Sequence, residues 1–370
     1  MSRLDRRKLR IYPLRERKNS LRIAEIAITA EQAAPRLSEK AQSQVVETAR
    51  RILAARADGR PVVLTYGAHL IKNGLAPLVI QMLEQGWITH VATNGAGSIH
   101  DWEFAYLGES SEDVRENTAQ GRFGAWEETD YYINLALAVG GLADLGYGHS
   151  VGKMIQEEML VLPTRDEIRA SIECYVREDE PDETIGALAD LLYLVTNFDL
   201  PAGRMQISHP HKQYSLQAAA YRLGVPLTVH PGIGYDIIYT HPLNCGGAIG
   251  RAAVRDFLSY ADSISKLEGG VHLSVGSAIM APMIFEKAMS MANNLALQEQ
   301  GAALSGHYLV VNDIQAGGDW DWRQGEPPKD HPAYYLRFCK SFYRMGGELQ
   351  YVCLDNREFL LALYHELTGK

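Results

Sequence analysis

The sequence lacks several features that mark common classes of protein. It has 4 cysteines in 370 residues and none at C-x-x-C spacing, so it predicts neither a zinc ribbon nor a thioredoxin-type motif. No apolar run reaches the roughly 20 residues needed to cross a bilayer, and no apolar segment near the N-terminus suggests a secretory signal. The net charge of −9 argues against a general nucleic-acid-binding protein, because neutralising phosphates requires a basic surface. We therefore expect a cytoplasmic protein without membrane or nucleic-acid partners.

Basic residues are nevertheless concentrated at the N-terminus. Within residues 1–25, only the acids Asp5 and Glu16, with Glu25 at the end, offset nine lysines and arginines. This composition favours a solvated or partner-docked arm, with anion binding as the alternative. We expect residues 26–370 to form a single α/β domain, with a helical insertion at about 113–183.

After the arm, short β-branched runs alternate with longer helix-like segments. This alternation predicts an α/β fold with a Rossmann-like parallel sheet and helices on both faces. The expected strands are 61–65, 88–93, 193–197, 226–229, 271–275, 308–311 and 349–352. The expected helices are 75–80, 216–223, 252–265, 282–300, 334–345 and 357–367.

Ligands of such sheets bind at the carboxyl ends of the strands, and several motifs follow expected strands. Residues 94–98 read Asn-Gly-Ala-Gly-Ser, and Asp101 shortly after could accept a hydrogen bond from a ribose hydroxyl. The small residues would let backbone amides approach a phosphate, although tight turns also require glycine. The spacing does not match G-x-G-x-x-G, the usual dinucleotide fingerprint.

Residues 312–322 combine two amides, three carboxylates, two glycines and two indoles after an apolar run. Carboxylates beside aromatic faces suit an aliphatic amine or another cation. The alternative is a solvent-exposed acidic loop whose tryptophans contribute to packing.

Two further motifs are weaker indications of a catalytic or metal site. Residues 148–152 match the G-x-S-x-G pattern of a hydrolase nucleophile, but no strand is expected before Ser150. His209 and His211 lack a third ligand, so no metal site is predicted.

In order and spacing, these motifs resemble deoxyhypusine synthase from about Val62 onward. The resemblance rests on residues 65–74, 93–101, 208–231, 275–278 and 312–315, together with later acids. It implies an NAD-binding protein that forms a homotetramer. The implied cofactor-binding residues are Gly67, Ala68, His69, Asn94, Gly95, Ala96, Gly97, Asp101, Gly276, Ser277, Asn312, Asp313 and Asp355. The implied substrate-binding residues are Asp236, Asp319, Asp321, Trp320 and Trp322.

The sequence departs from that family where its chemistry takes place. The family's lysine nucleophile is replaced by Arg337, which stays protonated and cannot attack an imine carbon. Lys340 could substitute for it, and Arg337 could instead bind a carboxylate. The family's active-site histidine is not matched at residues 280–282, and the loop between Pro231 and Asp236 is shorter than in the family.

We therefore expect an NAD-dependent enzyme that transfers hydride between the cofactor and a small amine or amino-acid-like substrate. His241 would shuttle protons, and deoxyhypusine formation is not expected. The alternative from another class is a non-catalytic NAD-binding or interaction protein on the same fold. A hydrolase using Ser150 is a third interpretation.

Overall fold

The computed structural model describes residues 2–177, 183–299 and 301–369. Residues 178–182 of the expected insertion and Gln300, the last residue of the expected helix 282–300, lie outside these ranges. The chain divides into two compact units. We call one the helical unit (Met1–Glu25, Ser98–Arg222 and Pro231–Asp256) and the other the sheet unit (Ile26–Gly97, Leu223–His230 and Phe257–Lys370).

A six-stranded sheet in which all the pairings are parallel forms the centre of the sheet unit. This confirms the predicted Rossmann-like α/β class. The spatial order is β10-β9-β8-β2-β3-β7. The strands are β2 (Val62–Tyr66), β3 (His90–Asn94), β7 (Leu227–His230), β8 (Val271–Val275), β9 (Tyr308–Asp313) and β10 (Glu348–Cys353).

Every residue of β2 and β8 is buried, as expected for strands covered on both faces. Helices α12 (Gly246–Ser265) and α13 (Met280–Glu299) supply much of the apolar packing, including Ile264 and Phe285. The helices in the sheet-unit segments are α2 (Glu39–Ala57), α3 (Ala68–Lys72), α4 (Ala76–Glu84), α13 (Met280–Glu299), α14 (Arg337–Tyr343) and α15 (Asn356–Thr368). Helix α12 (Gly246–Ser265) has residues in both units.

The helical unit contains two small antiparallel pairs. These join β1 (Asn19–Arg22) with β4 (Glu109–Glu112), and β5 (Met159–Leu162) with β6 (Gly203–Gln206). Helices α1 (Ile23–Ile26), α5 (Gly95–Leu107) and α11 (Leu216–Leu223) have residues in both units. The helices that lie within the helical unit are α6 (Val114–Ala119), α7 (Glu127–Gly140), α8 (Tyr147–Glu157), α9 (Arg165–Val176) and α10 (Thr184–Asn197).

The expected strand at 193–197 is wrong, because these residues form the end of α10. The buried residues of this helix are Ala187, Leu188, Leu191, Leu194 and Val195, which follow the three- and four-residue spacing of a helix face. Val195 and Thr196 are β-branched and by themselves favour a strand. The spacing of the apolar residues over the whole segment favours a helix instead.

The N-terminal segment packs within its own chain, in the helical unit. The Arg17 guanidinium pairs with the buried Glu103 carboxylate at 2.6 Å. Arg6 donates to the Tyr239 carbonyl at 2.8 Å and to the Asn244 side chain at 2.9 Å. These two arginines therefore bond within their own chain, and for the rest of residues 1–25 the solvated or partner-docked arm stays a prediction.

Among the described helices, none is both long and apolar enough to cross a membrane.

Candidate functional site

The strand order of the sheet unit identifies one position at its carboxyl edge. Ranked by chain order, the six strands run 3-2-1-4-5-6 across the sheet, which is the order of dinucleotide-binding Rossmann folds. The first strand of this sheet along the chain is β2, and β3 and β7 are added on one side of it. The later strands β8, β9 and β10 are added on the other side. The topological switch point therefore lies between the ends of β2 and β8, where such sheets bind ligands.

Two glycine turns meet at this switch point. The Gly67 amide donates to the Val275 carbonyl at 3.2 Å. A Cβ on Gly67 would lie 2.1 Å from the Gly276 carbonyl oxygen, so no larger residue fits without moving backbone. Gly276 has a φ of +58°, which favours glycine. The two turns therefore require glycine for different reasons, one for space and one for conformation.

The adjacent strand end contributes a buried amide. The Asn312 side-chain nitrogen donates to the carbonyls of Val352 (3.2 Å) and Leu354 (2.9 Å). Its Oδ1 atom is buried and has no hydrogen-bond partner among the described residues. Next to it along the chain, Asp313 Oδ1 accepts from the Gln315 amide at 2.9 Å. Asn312 thus offers an unused acceptor at the end of β9.

Several other residues that were predicted to bind the cofactor lie at the N-termini of helices. Ser277 Oγ accepts from the Ala281 amide at 3.2 Å, in the first turn of α13. Asn94 Oδ1 accepts from the Gly97 amide at 2.8 Å, where α5 follows β3. Asp355 caps α15 and pairs with Arg357 at 2.9 Å. Gly95 and Ala96 lie in the first turn of α5, and Ala68 and His69 begin α3 after β2.

Asp101 lies in the helical unit and is fully buried. Its oxygens accept hydrogen bonds from the Ser215 hydroxyl and from the backbone amides of Leu216 and Gln217, and Gln217 Nε2 adds a fourth. Burial raises the pKa of Asp101 despite these bonds. The carboxylate therefore caps α11 as the structure stands, and its ribose-binding role stays a prediction.

The acidic and aromatic segment lines a groove of about 1100 Å³ in the sheet unit. Asp319 forms an ion pair with Lys40, and Asp321 pairs with Arg323 at 2.8 Å. Trp320 donates to the Gly325 carbonyl at 2.9 Å, whereas Trp322 is buried in the core. Both carboxylates are therefore already paired with basic side chains of the chain itself.

Arg337 and Lys340 lie on the short helix α14. Arg337 is the exposed first residue of that helix. The Lys340 ammonium lies over the Tyr334 ring, 3.5 Å from its centroid. This cation–π contact packs the Lys340 amine against an aromatic ring of the chain itself.

Asp236 lies in the helical unit in a cluster with two tyrosines. The Oδ2 atom of Asp236 and the hydroxyls of Tyr147 and Tyr239 are buried and make no hydrogen bond within the described part of the chain. Burial raises the pKa of Asp236 to about 6, although the Gly232 amide donates to it. Burial and the Asp236 charge raise the pKa of Tyr239 to about 12, and the pKa of Tyr147 also lies well above its usual value. Three buried polar atoms of the helical unit thus lack a hydrogen-bond partner among the described residues.

His241 is also in the helical unit and is 5% exposed. Its Nδ1 accepts from the Leu243 amide at 3.1 Å, which leaves Nε2 to carry the proton toward Glu127, 3.4 Å away. Because of this hydrogen bond, and despite partial burial, the pKa of Glu127 is lowered. The proton-shuttle role of His241 stays a prediction.

Two residues of the cluster, Tyr147 and Tyr239, carried no sequence signal of their own. Tyr147 precedes the 148–152 motif and begins α8, the helix that contains Ser150. Ser150 Oγ is largely buried and donates to the Gly146 carbonyl at 2.6 Å. The hydrolase interpretation therefore has no exposed nucleophile at this residue.

No protein-family model and no curated protein matches the chain. Similar solved structures include the apo form of ArgZ, an arginine dihydrolase from the ornithine–ammonia cycle in cyanobacteria (14% identity, TM-score 0.42, 90% of this chain and 33% of that chain). A putative LOR/SDH protein from Methanococcus maripaludis S2 matches at 14% identity and a TM-score of 0.45, over 93% of this chain and 73% of that chain. AgrE in a ternary complex with ornithine and NAD+ matches at 13% identity and a TM-score of 0.42, over 91% of this chain and 34% of that chain.

The chain spans about a third of the length of ArgZ and AgrE. Similarity at this level assigns neither an activity nor a ligand to this chain.

Proposed function

We propose that the sheet unit binds NAD at the switch point between β2 and β8, and that the protein is an NAD-dependent enzyme. The observation that carries the proposal is the 3-2-1-4-5-6 order of parallel strands, with two close-packed glycine turns at the point where the order reverses. In sheets of this order the dinucleotide lies across that crevice.

The residues at the switch point fit a dinucleotide. Gly67 lets the two turns pack backbone against backbone, and neither glycine adds a side chain that would keep a pyrophosphate from the backbone groups. The unpartnered Asn312 Oδ1 can accept from a ribose hydroxyl or a carboxamide. Asp101 is not included, because its carboxylate already accepts four hydrogen bonds.

For the substrate we propose a small amine or an amino-acid-like molecule that binds at Asp236, Tyr147 and Tyr239. A primary ammonium has three donors, and the cluster presents three oxygen atoms without partners. A carboxyl with a pKa of about 6 can also take a proton from a bound amine near neutral pH. The chemistry that NAD supplies when bound is the acceptance of a hydride.

We infer that the protein does not form deoxyhypusine, although its motif order resembles that family. Arg337 cannot act as a nucleophile, since its guanidinium stays protonated. The Lys340 Nζ atom packs over the Tyr334 ring, 3.5 Å from its centroid. Because neither Arg337 nor Lys340 offers a nucleophile, these residues also support the second candidate, a non-catalytic NAD-binding protein on the same fold.

Titration of the purified protein with NAD+ in a calorimeter tests the cofactor part. We expect binding in the micromolar range, and its absence would overturn the oxidoreductase proposal. A panel of amines and amino acids is then added with NAD+, and NADH is followed by absorbance. Turnover that is lost in Asp236→Asn but kept in a Tyr235→Phe control supports the enzyme. NAD binding with no turnover on any compound supports the second candidate.

A further inference from the structure

A chain of four hydrogen-bonded side chains crosses the sheet unit. His90 Nδ1 lies 2.8 Å from Ser263 Oγ, and His90 Nε2 lies 3.1 Å from Thr228 Oγ1. Thr228 Oγ1 also lies 3.0 Å from His230 Nε2. All four residues belong to the sheet unit, and none of them takes part in the proposed cofactor or substrate site.

The chain begins at the carboxyl edge of the sheet and ends at the surface of the sheet unit. His230 is the last residue of β7, is partly exposed, and pairs with Asn94 at the end of β3. Thr228 and His90 are buried, with 2% and 0% of their surface exposed. Ser263 lies near the end of α12 and is partly exposed again. The four groups therefore connect the edge at which such sheets bind ligands with solvent.

The Thr228 hydroxyl gives the chain a direction. A hydroxyl has one hydrogen, so it donates to one of the two imidazoles and accepts from the other, and a neutral imidazole has one N–H and one bare nitrogen. If His230 donates to Thr228, then Thr228 donates to His90, and His90 in turn donates to Ser263. The reverse order also satisfies every one of these bonds. The transfer of one proton along the chain converts the first order into the second.

A second histidine network in the same sheet lacks this continuity. His272 Nε2 contacts the hydroxyls of Thr65 and Tyr260, both at 2.9 Å, but its Nδ1 is buried and has no partner among the described residues. The Tyr260 ring packs edge-on against the other chain, with its centroid 5.6 Å from that of His90 and 5.4 Å from that of His230. Burial of the His230 ring lowers its pKa to about 3, so it is neutral at pH 7. The His272 network therefore ends inside the core, whereas His90 is bonded at both ring nitrogens.

We propose that these four side chains form a proton relay between the carboxyl edge of the sheet and solvent. Oxidation of an ammonium-bearing carbon to an iminium gives up one hydride and one proton, and that proton has to leave the site. The relay takes up a proton at His230 and releases one at Ser263. Its part in the reaction rests on the proposed function, whereas proton transfer along the chain does not.

Exchange of the ring hydrogen of His90 with water tests the relay directly. A neutral imidazole releases its hydrogen readily only when its other nitrogen receives one, so exchange at the buried His90 needs both Thr228 and Ser263. Saturation transfer from water to nitrogen-15-labelled histidine measures this exchange by NMR, and His90→Gln assigns the signal.

Thr228→Val and Ser263→Ala should each slow the exchange on the order of 100-fold, because each removes one hydroxyl from the chain. Thr65→Val is the matched control for the first variant, since it removes a buried strand hydroxyl that bonds His272 instead. Ser265→Ala is the control for the second, since the Ser265 hydroxyl donates to the Asp262 carbonyl of the same helix. Neither control should change the exchange at His90. Circular dichroism checks that each variant is folded.

Exchange at His90 that is unchanged in Thr228→Val and Ser263→Ala, or that is absent from the unmodified protein, overturns the relay. Where an amine is oxidised, Ser263→Ala should lower kcat and leave KM unchanged, and added imidazole should restore part of the loss. An equal kcat in Ser263→Ala and Ser265→Ala contradicts a part of the relay in the reaction. If no compound is oxidised, the proposed enzyme function fails, and the exchange measurement still decides whether the relay exists.

Discussion

The buried ion pair between Arg17 and Glu103 provides a stability prediction that can be worked out from the structure. The two side chains are 2% and 1% exposed, and their charged atoms lie 2.6 Å apart. Burial alone would raise the pKa of Glu103, but the charge of Arg17 and hydrogen bonds from His100 and Arg17 outweigh it, and the pKa is lowered. Glu103 is therefore ionised inside the protein because Arg17 lies beside it.

Arg17→Met removes the cation and leaves the carboxyl buried. Loss of one partner from a buried pair costs about 3–5 kcal/mol of unfolding free energy. Two unit charges 4 Å apart at an effective dielectric constant of about 20 give roughly 4 kcal/mol, in the same range. The double variant Arg17→Met/Glu103→Gln leaves no buried charge, so we expect it to lose less than half as much as the single variant.

Urea unfolding followed by circular dichroism measures these losses at pH 7, with the exposed Arg15→Met as a control. A second readout is the pH dependence. Without Arg17 the folded-state pKa of Glu103 rises above its unfolded value. The loss of unfolding free energy is therefore largest at high pH, where Glu103 is ionised, and it decreases as pH falls. The reasoning is refuted if Arg17→Met costs under 1 kcal/mol, or if the double variant is as unstable as the single one.

Three further predictions concern titratable groups. Burial, with smaller contributions from neighbouring histidines, lowers the pKa of His272 to about 3, so it stays neutral when folded and protonates below about pH 6.5 only on unfolding. Stability is then lost as pH falls, and His272→Gln should reduce the slope of unfolding free energy between pH 6 and 4 by about 1.4 kcal/mol per pH unit; an unchanged slope in urea titrations would contradict this. The ionised form of Asp236 destabilises the fold at high pH, because burial raises its pKa to about 6. Asp236→Asn should therefore stabilise the protein by roughly 1–3 kcal/mol at pH 7, with no gain below about pH 4. Thermal unfolding at both pH values checks this, and a loss at pH 7 would count against it. Borohydride reduction with NAD+ and an amine should leave no adduct on Lys340, because its Nζ atom already packs over the Tyr334 ring. An adduct found by mass spectrometry would restore the imine mechanism.

The parallel sheet could be predicted from sequence because each of its strands leaves a local signal. The expected strand 271–275 coincides with β8, since three apolar residues alternate with His272 and Ser274 between flanking glycines. The strand expected at 193–197 failed because β-branched residues also occur on the buried face of a helix. The order of the strands in the sheet leaves no local signal in the sequence. The position of the switch point therefore follows only from the strand pairings.

The cluster at Asp236 shows what sequence reasoning could not reach. Tyr147 is 89 residues from Asp236 in the chain, and no motif connects them. The importance of the two tyrosines lies in hydroxyls that the fold buries without a partner. Asp101 illustrates the reverse case: its place after a glycine turn suggested a ligand, whereas its hydrogen bonds cap a helix.

Calorimetric titration of NAD+ into the unmodified protein, Gly67→Ala and Gly250→Ala is the most direct test of the proposed cofactor site. A Cβ at residue 67 would lie 2.1 Å from the Gly276 carbonyl oxygen, whereas a Cβ at residue 250 meets no atom within 4 Å. With all three proteins folded by circular dichroism, we predict micromolar binding to the unmodified protein and to Gly250→Ala, and at least a 100-fold loss in Gly67→Ala. Equal affinity in Gly67→Ala, or no binding to the unmodified protein, would contradict an NAD site at the switch point.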